Sequence, residues 1–145
     1  MNGTIATAEV EISASPATVW DALTTPDLIK DYFFGATVET DWQPGSPITW
    51  SGEYDGKGYQ DKGEILAVEP GKSLRMTHFS PLSGQPDEPG SYHELDFTIT
   101  DEGDSVKVVL EQDNNPDEEA AGHAQENWQA MLDGLKKLVE SGERA

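Results

Sequence analysis

Ala14-Ser15-Pro16-Ala17-Thr18-Val19-Trp20-Asp21-Ala22-Leu23-Thr24-Thr25-Pro26-Asp27-Leu28-Ile29 contains two helix starts in quick succession. Ser15 can accept backbone N–H bonds as an N-cap, and Pro16 takes the first helical position, whose N–H has no partner in any case. Thr25-Pro26 repeats the device, with Asp27 at the positive end of the helix dipole. The stretch therefore predicts two short helices in series, ending near the aromatic cluster Tyr32-Phe33-Phe34-Gly35. Before them, Thr4 to Ser13 alternates, with Ala8, Val10 and Ile12 on one side and Glu9 and Glu11 on the other, the period of a half-buried strand.

Beyond the helix pair, turn chemistry separates runs of strand composition: Ala36 to Thr40, Ile48 to Tyr54, Tyr59 to Glu69, Ser73 to Phe79, Ser91 to Thr100 and Ser105 to Gln112. With the first strand these make seven. Their connections are too short for parallel crossovers, so an antiparallel meander is expected. Parity draws one face: Ile48 and Trp50; Leu74, Met76 and His78; His93, Leu95, Phe97 and Ile99; Val106, Val108 and Leu110. The run from Tyr59 to Glu69 is ambiguous, because Ile65 and Ala67 compete with Leu66 and Val68, a conflict that a bulge would reconcile. Asn115-Pro116-Asp117-Glu118-Glu119 then reads as a third capped start. The long helix after it carries Ala124, Trp128, Met131, Leu132, Leu135, Leu138 and Val139 at spacings of three and four, a stripe that needs a sheet to lie on, and Gly142 is its expected stop.

The chain has 145 residues, the size of one ordinary domain, so residues 1–145 are read as a single core. Twenty-eight acidic residues against nine basic give a formal net charge of -19, which repels phosphate backbones and anionic headgroups. Nucleic-acid and membrane partners are excluded on that ground. An acid excess of this size suits a halophile's surface and a plain solubility surface alike. Without Cys there is no disulfide framework, thiol nucleophile or thiolate metal site. The N-terminus lacks a basic n-region and no run reaches the ~20 apolar residues of a membrane span, so the expected location is cytoplasmic.

Strand, two short helices, six antiparallel strands and a long C-terminal amphipathic helix is an unusual order. It resembles the helix-grip or START-like superfamily, also called SRPBCC. Within that superfamily it is most similar to the branch of the C-terminal domain of the activator of the heat-shock-protein-90 ATPase. The residues that carry the resemblance are Ala14 through Pro26, Pro44-Gly45-Ser46-Pro47-Ile48-Thr49-Trp50, Gly63-Glu64-Ile65-Leu66-Ala67-Val68-Glu69-Pro70, and Trp128 through Leu138. The resemblance implies an α+β fold in which a seven-stranded curved antiparallel sheet grips the long helix. It also implies a cavity between them that holds a lipid-like, polyketide-like or other apolar molecule. It implies no shared reaction, since fold-level analogy stops at architecture. The sequence shows no counterpart of the separate N-terminal chaperone-binding domain, so a chaperone partner ranks behind a small molecule.

On this reading Phe33, Phe34, Trp50, Met76, His78, His93, Leu95, Phe97, Trp128 and Leu132 line the ligand space, with Phe33 and Phe34 near its mouth. Any one of them taken alone is better explained as core packing than as ligand contact, and the set is the better bet. His78 and His93 flank the loop Ser80 to Gly90 and should lie opposite each other in a hairpin. With His123 they match the ligand count of a catalytic zinc site, but the spacing gives no support. Polar handles in an apolar pocket are the preferred role, with no metal and no cofactor. No nucleophile elbow or phosphate cradle occurs. The leading expectation is therefore a binder of a small apolar or amphipathic molecule. An enzyme in the same cavity, a cyclase or hydrolase using His78 or His93 as base, and a protein-interaction module are the alternatives. A ligand site needs roughly 300 Å³ of enclosed space. The loop from Ser80 to Gly90, with one apolar residue, Leu82, is expected to be mobile.

Overall fold

Strands and helices follow in the expected order in the computed structural model, which describes residues 3–33, 35–54, 56–79, 88 and 91–141. Strand β1 (Thr4–Ile12) leads into helices α1 (Pro16–Thr24) and α2 (Pro26–Tyr32). Strands β2 (Thr37–Glu39), β3 (Pro47–Tyr54), β4 (Lys57–Glu69), β5 (Ser73–His78), β6 (His93–Asp101) and β7 (Val106–Asn115) come next, and helix α3 (Glu118–Glu140) closes the fold. The sheet order is β1-β7-β6-β5-β4-β3-β2, all antiparallel, so β2 to β7 form the meander and β1 adds at its far edge. This is the α+β helix-grip arrangement. The loop from Ser80 to Gly90 and the expected helix stop at Gly142 lie outside the described residues, apart from Glu88.

Both short helices form as their sequence dictates. Ser15 Oγ accepts from Thr18 N at 3.2 Å, and each helix has Pro in its first turn. Pro26 has a cost for α1, because it cannot supply the N–H that the Ala22 carbonyl would otherwise take. Tyr32 repairs this from the end of α2: its hydroxyl donates to Ala22 O at 2.9 Å in a fully buried setting. Burial without a compensating charge pushes the Tyr32 hydroxyl far above the ordinary phenol range, so it stays a donor. Tyr32 thus anchors the helix pair.

The inner face is the one drawn by parity, from Ile48 and Trp50 through Leu74, Met76, Leu95, Phe97 and Ile99 to Val106, Val108 and Leu110, all buried. The ambiguity in β4 is resolved by a bulge: the register shifts between Ile65 and Ala67, so Ile65 is fully buried while Leu66 is 38% exposed and Val68 turns back to the core. On α3 the stripe from Trp128 to Val139 is buried, and Leu132 and Leu135 are completely so, each worth ~1.5–3 kcal/mol of transfer free energy. At its far end Lys136 Nζ donates to Glu11 O and Glu140 Oε2 accepts from Ser13 N at 2.8 Å, clasping the helix to the end of β1.

One boundary differs from expectation. Asn115-Pro116 does not start α3. Strand β7 runs through Asn115, and the cap is Asp117, whose carboxylate accepts from Ala120 N at 2.9 Å. The Asn115 amide is taken by the sheet instead, donating to Thr4 O at 2.9 Å and to Gln112 O at 3.0 Å. A register shift where Thr4 meets Asn115 and Ala6 meets Gln112 accommodates this, with Asn114 at φ 58, a left-handed conformation that Asn tolerates.

Candidate functional site

The sheet is apolar at one end and polar at the other. Ile12, Leu74, Ile99 and Val106 occupy the first end, while the buried polar residues His78, Gln112, Asp113 and Asn115 cluster where β5 ends, β6 begins and β7 ends. Trp128 of α3 joins the two. Its indole N–H donates to Gln112 Oε1, and Gln112 Nε2 donates to Asn115 Oδ1 at 3.0 Å, a chain of buried bonds that ends on the Thr4 carbonyl. The Trp128 indole N–H and the Gln112 and Asn115 side-chain amides are thus paired, as most buried polar groups are.

His78 and His93 pair directly across β5 and β6, as hairpin counting expects. Their fates differ. His93 is half-buried, and its Nδ1 lies 2.8 Å from Asp113 O; a carbonyl only accepts, so that nitrogen carries the proton. His78 is 9% exposed, and its Nε2 lies 3.0 Å from Asp61 Oδ2 of β4. Asp61 comes inward because it pairs with Trp50 and shares a strand face with Ile65. The register also brings Gly63 against the backbone of Thr77 and His78, so closely that a Cβ there would fall 1.8 Å from Thr77 O. Tyr59, two residues before Asp61, has its hydroxyl pushed up by burial and by the Asp61 charge. His123 is exposed on α3, and among the described residues no group of three His, Asp or Glu side chains could hold a metal ion.

Four rings close around this point. Trp50 meets His78 edge-on at 4.9 Å between centroids, and His78 meets Trp128 at 6.3 Å. Phe33 completes the circuit, near-parallel to Trp50 at 6.5 Å and edge-on to Trp128 at 5.7 Å. Phe33 is half-buried and follows directly on α2, where the chain leaves helical geometry at φ -106 and ψ 57.

Beside the rings lies an apolar cavity. Leu23, Ile29, Tyr32 and Phe33 line it from the helix pair, Val38, Trp42, Ile48 and Trp50 from the β2–β3 side, Leu74, Met76, Leu95 and Phe97 from β5 and β6, and Met131 from α3. Its volume is about 20 Å³, room for about one water and far below the roughly 300 Å³ of a ligand pocket. The space between sheet and helix is thus far smaller than expected, with Phe33 and the helix pair forming one side of it.

Of the residues expected to line a ligand space, Phe33, Trp50, Met76, Leu95 and Phe97 do line the cavity. His78 and Trp128 stand behind it in the ring circuit, His93 faces Asp113, and Leu132 is wholly buried core. Phe34 lies outside the described residues. Sequence reasoning missed Trp42, which is held at φ 60, and Asp61. No pattern marks Trp42. Strand parity with Ile65 marks Asp61 once the bulge is placed.

The family described as Activator of Hsp90 ATPase homolog 1-like protein matches residues 13–140. The solution structure of ChR145 from Cytophaga hutchinsonii is similar at 45% identity and a TM-score of 0.84, with 100% of both chains covered. The solution structure of the Aha1 dimer from Colwellia psychrerythraea shares the fold at 21% identity and a TM-score of 0.72, over 97% of this chain and 98% of that one. So does the crystal structure of DynU16, from the dynemicin biosynthetic locus, at 16% identity and a TM-score of 0.80, over 97% of this chain and 49% of that one. No curated protein matches by sequence.

Proposed function

The chain belongs to the Activator of Hsp90 ATPase homolog 1-like family, and from that premise we propose that it binds a small, uncharged, ring-bearing apolar molecule between sheet and α3, without turnover. The observation that carries this reading is Phe33, a half-buried aromatic ring set between Trp50 and Trp128 beside an apolar cavity. Phe33 occupies the place between the two indoles that a flat ligand ring takes on binding. An incoming ring that buries ~300 Å² gains up to ~7 kcal/mol before association and opening costs, enough for micromolar binding only if those costs are small. Anionic ligands are disfavoured by the -19 charge.

The test is titration with uncharged polycyclic aromatics, read by Trp emission, in the wild type and in Phe33→Ala. Saturable binding in the wild type and at least several-fold tighter binding in Phe33→Ala are expected. If neither protein saturates, the reading fails. The 20 Å³ cavity itself favours a second reading, a protein-interaction module related to the chaperone activator, with a solid interior and a working outer surface.

A further inference from the structure

The Asp61–His78 pair is only half-used. Their side chains are 14% and 11% exposed, and one bond of 3.0 Å joins Asp61 Oδ2 to His78 Nε2. The other two atoms, Asp61 Oδ1 and His78 Nδ1, are buried with no hydrogen-bond partner among the described residues. A carboxylate oxygen only accepts, so Nε2 carries a ring proton, and in the neutral form of the ring Nδ1 presents a lone pair. Asp61 Oδ1 is an acceptor, and with the ring neutral so is His78 Nδ1, so what suits the pair in that form is a donor. The rings of Trp50 and Trp128 flank His78, and Phe33 closes the circuit opposite, so the group delivering that donor arrives on a flat apolar body.

Resting on the binding reading above, we infer that the Asp61–His78 pair, which does not line the cavity but lies in the ring circuit beside it, is the polar recognition site for its ligand, accepting the hydroxyl of a neutral hydroxyarene whose ring replaces Phe33 between the two indoles. Asp61 acts through His78: it fixes the tautomer and ring orientation, and His78 Nδ1 takes the ligand proton's hydrogen bond. The hydroxyl sets specificity and the ring supplies the apolar contact, the division common in small-molecule sites.

The experiment compares naphthol with its methyl ether, which has the same rings but cannot donate. Affinities come from Trp emission, and nitrogen NMR of the His78 ring reports Nδ1 directly. Naphthol should bind about tenfold tighter, the upper range for one buried hydrogen bond. The Nδ1 resonance should move upfield with naphthol and stay in place with the ether. In His78→Phe the preference should fall below about twofold; should that variant fail to fold, the wild-type resonance decides alone. Equal affinities with an unmoved Nδ1 overturn this inference and leave the binding reading standing. No saturation by either compound overturns both.

Discussion

Replacing Trp128 by alanine should cost the domain ~3–5 kcal/mol, the range for removing a large aromatic from a packed interface. Trp128 is 8% exposed and meets Phe33 and His78 through its ring, so deletion leaves a cavity lined by groups held on three separate elements. It also removes the donor to Gln112 Oε1, and the ~1–3 kcal/mol of a buried acceptor left unpaired is part of that total. The two contributions can be separated. Trp128→Phe keeps most of the ring packing and loses only the N–H, so it should cost ~1–3 kcal/mol. Against a total stability of ~5–15 kcal/mol, the alanine variant should be marginal and the phenylalanine variant comfortably folded. Urea titration followed by far-ultraviolet circular dichroism measures both without relying on the lost fluorophore, and unchanged m-values would license the comparison. A loss below ~1 kcal/mol for Trp128→Ala would refute the placement of this ring in the sheet–helix interface. Equal losses for the two variants would refute the packing contribution and leave the hydrogen bond alone.

Gly63→Ala should destabilise by at least the ~1–3 kcal/mol of overpacking, because its Cβ meets backbone rather than a flexible side chain; a change in melting temperature of less than ~2 °C would contradict the close approach of β4 and β5. Glu140 accepts from Lys136 Nζ and Ser13 N, and these bonds hold its carboxyl below the ordinary glutamate value. A depressed folded value means that the stabilisation is present above the unfolded value, about 4.5, and is lost as pH falls through the folded one. Glu140→Gln should therefore cost less than ~1 kcal/mol at neutral pH, as befits an exposed pair, and nothing in acid; a difference from wild type that grows on acidification would sink the assignment.

Most of the architecture was legible because strand parity and helix spacing are direct consequences of backbone geometry. The inner-face residues from Ile48 to Leu110 follow from a period of two, and the buried stripe on α3 from a period of 3.6. What was not legible depends on events of tertiary origin. Asn115 looked like a cap, since Asn before Pro and three acids is a good helix start; the bulge at Asn114 drew it into the sheet instead. Asp61 was hidden by composition, because in a chain with 28 acidic residues any single carboxylate reads as solvated. The small size of the cavity was equally out of reach, since one side of it is formed by Phe33, placed after the last turn of α2.

The distribution of buried polar groups bears on why His78 is left incomplete. Gln112, Asp113 and Asn115 sit at the same end of the sheet and are all paired: Asp113 Oδ1 accepts from Glu94 N at 2.6 Å, and Gln112 and Asn115 bond to each other. The fold is thus able to satisfy buried polar atoms in this neighbourhood, using only local sheet geometry. Asp61 Oδ1 and His78 Nδ1 have no such partner among the described residues, and each costs ~1–3 kcal/mol if unmet, a penalty that an apolar pair of similar shape would remove. On the proposed binding reading, these two atoms are where a polar group of the ligand is met.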